Sequence, residues 1–164
     1  MDAIFERMSI RRYEDKPVEP EKVEQLLRAA MAAPSAHNQQ PWEFYVVTDK
    51  DAIAKLSEVT PYAQPAGRAP LVIVPCYATD RLRCPEFAHI DMSACVENLL
   101  VEATAQGLGA CWMGIAPHED RQAMVEEIIG APDNLRVFCL ISVGYPGETR
   151  EHAERYDPNI VHYV

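Results

Sequence analysis

Ala33-Pro34-Ser35-Ala36-His37-Asn38-Gln39-Gln40-Pro41-Trp42 is a polar, proline-bracketed loop wedged between an apolar helical pattern and an apolar strand pattern. Pro34 and Pro41 bias the residues before them out of the helical region and hold the segment extended, while Ser35, Asn38, Gln39 and Gln40 offer donors and acceptors together. Such a set suits the edge of a flat heterocycle. It also suits a helix stop followed by an ordinary turn, because Pro, Ser and Asn are common turn residues. The surrounding chain has to decide between the two.

Upstream, Glu19-Pro20-Glu21 opens a helix with the acidic residues and proline that fit a first turn, and Val23, Leu26, Leu27, Ala30 and Met31 follow at helical spacing. Residues 2–8 read as a short helix with Ile4 and Phe5 inward. Arg7-Met8-Ser9-Ile10-Arg11-Arg12-Tyr13 then places three arginines in a chain whose formal net charge is -10. Arg7 and Arg11 can converge with the Ser9 hydroxyl on one phosphate, or the segment is a solvated basic turn paired with Glu14, Asp15 or Glu19.

Downstream, residues 43–47 read as a strand, 49–59 as an amphipathic helix with Ile53 and Leu56 inward, and 60–70 as a loop. Leu71-Val72-Ile73-Val74 has the unbroken apolar run of a central strand, ended by Pro75. Residues 87–107 form the longest helix, apolar nearly all round, which predicts burial against a second protomer or within a single subunit. Gly107 caps it. Residues 110–115 read as a strand, 117–129 as a helix and 136–143 as the last strand. The tail, 144–164, is an extended arm whose Ile160, Val161, Tyr163 and Val164 are too apolar to stay free.

The 164 residues match one domain, 1–164, with 48% hydrophobic and 24% charged residues. A pI near 4.9 argues against a nucleic-acid or anionic-membrane partner. No basic-then-apolar leader follows Met1 and no apolar run reaches ~18 residues, so a cytoplasmic protein is expected. Five cysteines without CxxC spacing and five histidines without paired spacing predict neither a disulfide framework nor a metal site. Gly107-Leu108-Gly109-Ala110-Cys111-Trp112-Met113-Gly114 is no dinucleotide fingerprint, since Trp112 stands where a glycine is required.

Four segments in order resemble the nitroreductase family of FMN-dependent oxidoreductases. These are Arg7 to Tyr13, Ala33 to Trp42, Gly107 to Gly114, and Gly144-Tyr145-Pro146 followed by Arg155. The resemblance implies an α+β fold with a mixed, mainly antiparallel sheet flanked by helices and the long helix at a homodimer interface. It implies FMN as cofactor, NADH or NADPH as co-substrate, and hydride transfer through FMN to a nitroaromatic, quinone or activated alkene. By family pattern Arg7, Ser9, Arg11 and Arg155 hold the phosphate and ribityl end. Pro34, Ser35 and Asn38 arrive from the other subunit, and the backbone of Met113, Gly114 and Ile115 lies beside the ring. Met8, Ala36 and Gln40 complete the implied cofactor-binding set. No catalytic side chain is expected, because the cofactor carries the chemistry. Met8 and Ala153 depart from the family pattern, and Arg150 is the candidate to make the phosphate contact that Ala153 is unable to supply. A flavin carrier or sensor without turnover, or a reductase fed by a protein donor, would use the same site.

Overall fold

The computed structural model describes residues 2–152 and 154–164. Five strands form one sheet: β1 (Trp42–Val47), β2 (Leu71–Ala78), β3 (Gly109–Gly114), β4 (Leu135–Val137) and β5 (Cys139–Gly144). The order is β1-β2-β5-β3, with β4 also on β2, and every strand pairing is antiparallel. The parallel element of the expected mixed sheet is reduced, among the described residues, to a single isolated bridge, Ser9 to Ala110. Among the described residues five α-helices complete the fold: α1 (Ala3–Glu6), α2 (Pro20–Met31), α3 (Lys50–Leu56), α4 (Ala88–Ala105) and α5 (Glu119–Ile129).

Alternation along β2 builds the core on both sides of the sheet. Leu71 and Ile73 face α2 and α4, where they pack with Leu26, Met92, Val96 and Leu99. Val72 and Val74 face α3 and α5, against Ile53, Leu56 and Val125. Both faces of the strand are therefore dry, as its continuous apolar run requires.

Pro75 does not end this strand. Between Ile73↔Ile141 and Cys76↔Val137 the register slips by one residue, because Phe138 stands out between β4 and β5. The Phe138 N–H donates to the Pro75 carbonyl at 2.9 Å. A residue without an N–H is thus placed at a bulge, where no ladder bond needs it. The same bulge divides the single strand expected over residues 136–143 into two.

The first helix also differs from expectation. It spans one turn, and Ile4 and Phe5 are 62% and 65% exposed. Four residues cannot bury an inward face of their own, so α1 lies on α4 with its apolar side chains outward. Ile90 of α4 and Ile160 and Tyr163 of the tail are likewise exposed in the single chain.

Close approach decides three glycines. A Cβ at Gly109 would come within 2.7 Å of the Ile10 side chain, one at Gly144 within 2.9 Å of the Tyr13 ring, and one at Gly147 within 2.9 Å of the Tyr13 backbone. The arginine segment is seated on the sheet by these contacts. Gly109→Ala is expected to lose roughly 1–3 kcal/mol of stability by overpacking Ile10. Gly114→Ala, whose Cβ would meet nothing within 4 Å, should stay within about 0.5 kcal/mol of the parent. Urea unfolding at one fixed protein concentration distinguishes them.

Candidate functional site

The arginine segment leaves α1 as an extended strap along β3. The Ile10 N–H donates to the Ala110 carbonyl at 3.0 Å, and the Arg11 N–H donates to Glu148 Oε1 at 2.6 Å. That backbone donor, helped by Arg150, holds the Glu148 carboxyl below the usual carboxylate range. Tyr13 Oη donates to the Ile10 carbonyl at 2.6 Å and shares a 2.7 Å hydrogen bond with Ser142 Oγ.

So anchored, Arg7, Met8, Ser9 and Arg11 line one cavity of about 240 Å³ with Arg150, Glu151, His152 and Arg155. Among the described residues, four arginines and one glutamate line it, with Glu148 3.5 Å from Arg150 at its edge, in a chain of net charge -10. Arg7 is braced by Glu97 of α4 at 3.2 Å. A dianionic phosphate is the ligand chemistry such a donor set fits. Ala153 lies outside the described residues.

The loop after α2, expected to be part of the site, lies apart from the arginine cavity. Pro34, Ser35, Ala36, Asn38 and Gln40 are not walls of the arginine cavity, and Pro34, Asn38 and Gln40 are exposed in the single chain. The segment is not extended as its prolines suggest. Ala36–Asn38 make one 3₁₀ turn, and His37, Asn38 and Gln40 all have positive φ, at 48°, 53° and 44°. Pro41 still excludes Gln40 from the right-handed helical region, but the chain escapes to the left-handed one.

What holds this loop was not legible from its sequence. Asp91, in the first turn of α4, accepts from the Ala36 N–H at 2.8 Å and from Gln39 Nε2 at 2.6 Å. Gln39 Oε1 in turn accepts from the N–H groups of Arg83 and Cys84 at 2.9 and 3.0 Å. Gln39 therefore faces inward, while Asn38 and Gln40, read together with it, are exposed. Gln40 N–H is satisfied locally by Ser35 Oγ at 3.0 Å.

The third part lies on β3. Met113 and Ile115 are buried, so only their backbone is free to meet a ligand, and Gly114 between them is exposed. Gly114 has neither a positive φ nor a neighbour that a Cβ would strike. Its missing side chain is not explained by this chain's own packing, whereas a flat ligand laid on the strand would explain it. It stands four residues, about 13 Å, along β3 from the Ser9 bridge at Ala110.

A larger cavity of about 790 Å³ lies between the 13–18 linker, β1 and α3. Its walls mix Glu14 and Asp15 with Lys16, Lys50 and Arg68, and they present no concentrated field of one sign. None of the five cysteines is in a disulfide.

The nitroreductase family model matches this chain over residues 4–84 and 58–145. The chain belongs to the nitroreductase family. A relative from Archaeoglobus fulgidus, provisionally named an NADH dehydrogenase/NAD(P)H nitroreductase, is 38% identical over 97% of this chain and 94% of its own length. Among solved structures, a provisionally named NADH oxidase from Clostridium acetobutylicum superposes with a TM-score of 0.95 at 45% identity, covering 98% of both chains. A provisionally named nitroreductase from Desulfovibrio desulfuricans, solved in complex with FMN, superposes at 0.84 with 28% identity, covering 99% of this chain and 94% of its own. This chain is thus matched along nearly its whole length, with the four sequence segments falling on the strap, the loop, β3 and the tail.

Burial of Tyr13 pushes its phenol well above the ordinary tyrosine range, with the Ser142 hydrogen bond acting the other way. The folded chain keeps this proton where the unfolded chain loses it, so the contribution is complete below about pH 10 and declines as pH rises beyond it. Tyr13→Phe should cost about 1–3 kcal/mol at neutral pH by stranding its partners. It should also make the loss of stability above pH ~10 shallower. Urea unfolding of both proteins from pH 7 to 11 checks both parts.

Proposed function

We infer that this nitroreductase is an FMN-dependent NAD(P)H oxidoreductase working as a homodimer. The observation that carries the reading is the convergence of Arg7, Ser9, Arg11, Arg150 and Arg155 on one cavity in a strongly acidic protein. The unexplained Gly114 on the same strap-bearing strand supports it, as does the FMN held by the Desulfovibrio relative.

In this reading Arg7, Ser9, Arg11 and Arg155 bind the phosphate and ribityl end, and Arg150 makes the contact that Ala153 is unable to supply. The backbone of Met113, Gly114 and Ile115 lies beside the ring, where fixed N–H donors favour negative charge. Pro34, Ser35, Ala36, Asn38 and Gln40 close the pocket from the partner subunit. FMN supplies the hydride chemistry, taking two electrons from NADH or NADPH and passing them in a second half-reaction to a nitroaromatic, quinone or activated alkene. The protein's part is to bind, orient and exclude water.

What the single chain leaves uncovered supports the dimer. Ile4 and Phe5 on α1 and Ile90 on α4 are exposed, and Ile160, Val161, Tyr163 and Val164 of the tail expose more apolar area. A second copy packed on α4 buries that surface and brings the exposed loop of one chain to the arginine cavity of the other.

Arg11→Ala apoprotein should bind FMN about one to two decades more weakly, the loss of one charge-assisted hydrogen bond. Fluorescence titration measures it, and unchanged affinity removes Arg11 from the site.

Heterodimers of Arg11→Ala and Asn38→Ala chains test site sharing. If the pocket is shared, one of the two carries both lesions and the other neither, so tight FMN binding returns at one site per heterodimer. If each chain builds its own pocket, mixing restores nothing.

A further inference from the structure

We propose that Asp91 and Gln39 form a positioning clamp that makes the Ser35–Gln40 loop and the segment entering α4 one unit, and so sets how the loop meets the flavin. The proposal rests on the FMN reading above and adds a residue that this reading does not use.

Asp91 is only 4% exposed and Gln39 8%. A carboxylate buried to that extent needs partners for both oxygens, and here both partners come from the loop: Ala36 N–H on Oδ1 and Gln39 Nε2 on Oδ2. Asp91 could have served α4 alone, since an acidic residue in a first turn favours the helix dipole. Its oxygens are instead taken up by a segment 52 to 55 residues away in sequence.

The loop needs such a tether. His37, Asn38 and Gln40 occupy a region that residues with a Cβ avoid. Its own backbone contributes only the bonds from Asn38 N–H to the Ser35 carbonyl and from Gln39 N–H to the Ala36 carbonyl. Strained residues persist where surroundings over-determine them, and among the described residues the hydrogen bonds tying this turn to α4 all end on Asp91.

Gln39 extends the tie. Its oxygen takes the Arg83 and Cys84 N–H groups, and its Nε2 also reaches the Cys84 carbonyl at 3.3 Å. The connection from β2 to α4 therefore moves with the loop. Because α4 is also the helix under α1, the clamp links the ring-facing loop to the proposed dimer surface through one carboxylate.

The amide and carboxylate can be exchanged. In Asp91→Asn the introduced amide keeps an acceptor for Ala36 N–H but turns a donor toward Gln39 Nε2. Adding Gln39→Glu restores a donor–acceptor pair with residue 91 and keeps an acceptor for the Arg83 and Cys84 N–H groups, losing only the 3.3 Å bond to the Cys84 carbonyl. If Asp91→Asn drops the competent loop population to about a tenth, FMN binds about tenfold more weakly. The double variant should recover to within about threefold of the parent. Amide exchange of apoprotein should accelerate together at Ala36, Gln39, Arg83 and Cys84 in Asp91→Asn and slow again in the double variant.

Parental FMN affinity in Asp91→Asn, or a double variant that binds FMN no more tightly than Asp91→Asn, overturns the positioning role. Exchange that changes at residues 36–39 without residues 83–84 overturns the single unit. If the parent protein itself binds no FMN, the flavin reading and the clamp's role toward it fail together, while the exchange pattern still decides whether the two segments move as one.

Discussion

Ile10 lies directly over Gly109, and Tyr13 lies over Gly144 and Gly147, with less than 3 Å to spare at each for a missing Cβ. The strap carrying Arg7, Ser9 and Arg11 can follow β3 only because those positions have no side chain. Tyr13 then locks the strap through the Ile10 carbonyl and Ser142. Arg11 lines the cavity, its guanidinium 3.4 Å from the Ser9 carbonyl, while its backbone N–H is spent on Glu148. The arginine cavity is thus a consequence of sheet packing: without the glycine row the cationic segment would ride higher and lose its convergence. Three of the family-like sequence segments meet in this one contact.

Much of this was legible in the residues. The apolar runs and periodicities announced α2, α4, α5, β1 and β3, and the order of the four segments announced the family. What escaped has definite causes. Pro75 looks like a strand terminator because a proline lacks an N–H, but at a bulge that lack costs nothing, and the bulge is visible only when Phe138 is seen opposite. Ile4 and Phe5 look inward because helices usually bury their apolar face, whereas α1 is too short to have a covered one within its own chain. In the site, the strap could be read from charge. The clamp could not, because Gln39 resembles its polar neighbours and Asp91 resembles any first-turn acid until the fold joins them.

The site is therefore built from elements of different stiffness. β3 and the strap belong to the sheet, where ladder bonds and two cores fix the backbone. The loop depends on a few side-chain bonds to hold three left-handed residues. If the proposed pocket is built from both, its stiff wall would take the cofactor and its tethered wall would be the one free to adjust.

The buried thiols carry one more consequence. Cys76 and Cys95 are pushed by burial to about 12, and Cys139 is also raised well above the ordinary thiol range. Burial therefore holds these sulfurs in the thiol form at neutral pH, and a buried thiol oxidises less readily than an exposed thiolate. They become reactive only when the layers on either side of the sheet part. Alkylation of Cys95 would report opening of the α2–α4 side and alkylation of Cys76 the α3–α5 side, giving the molecule two internal clocks for the breathing of its two cores.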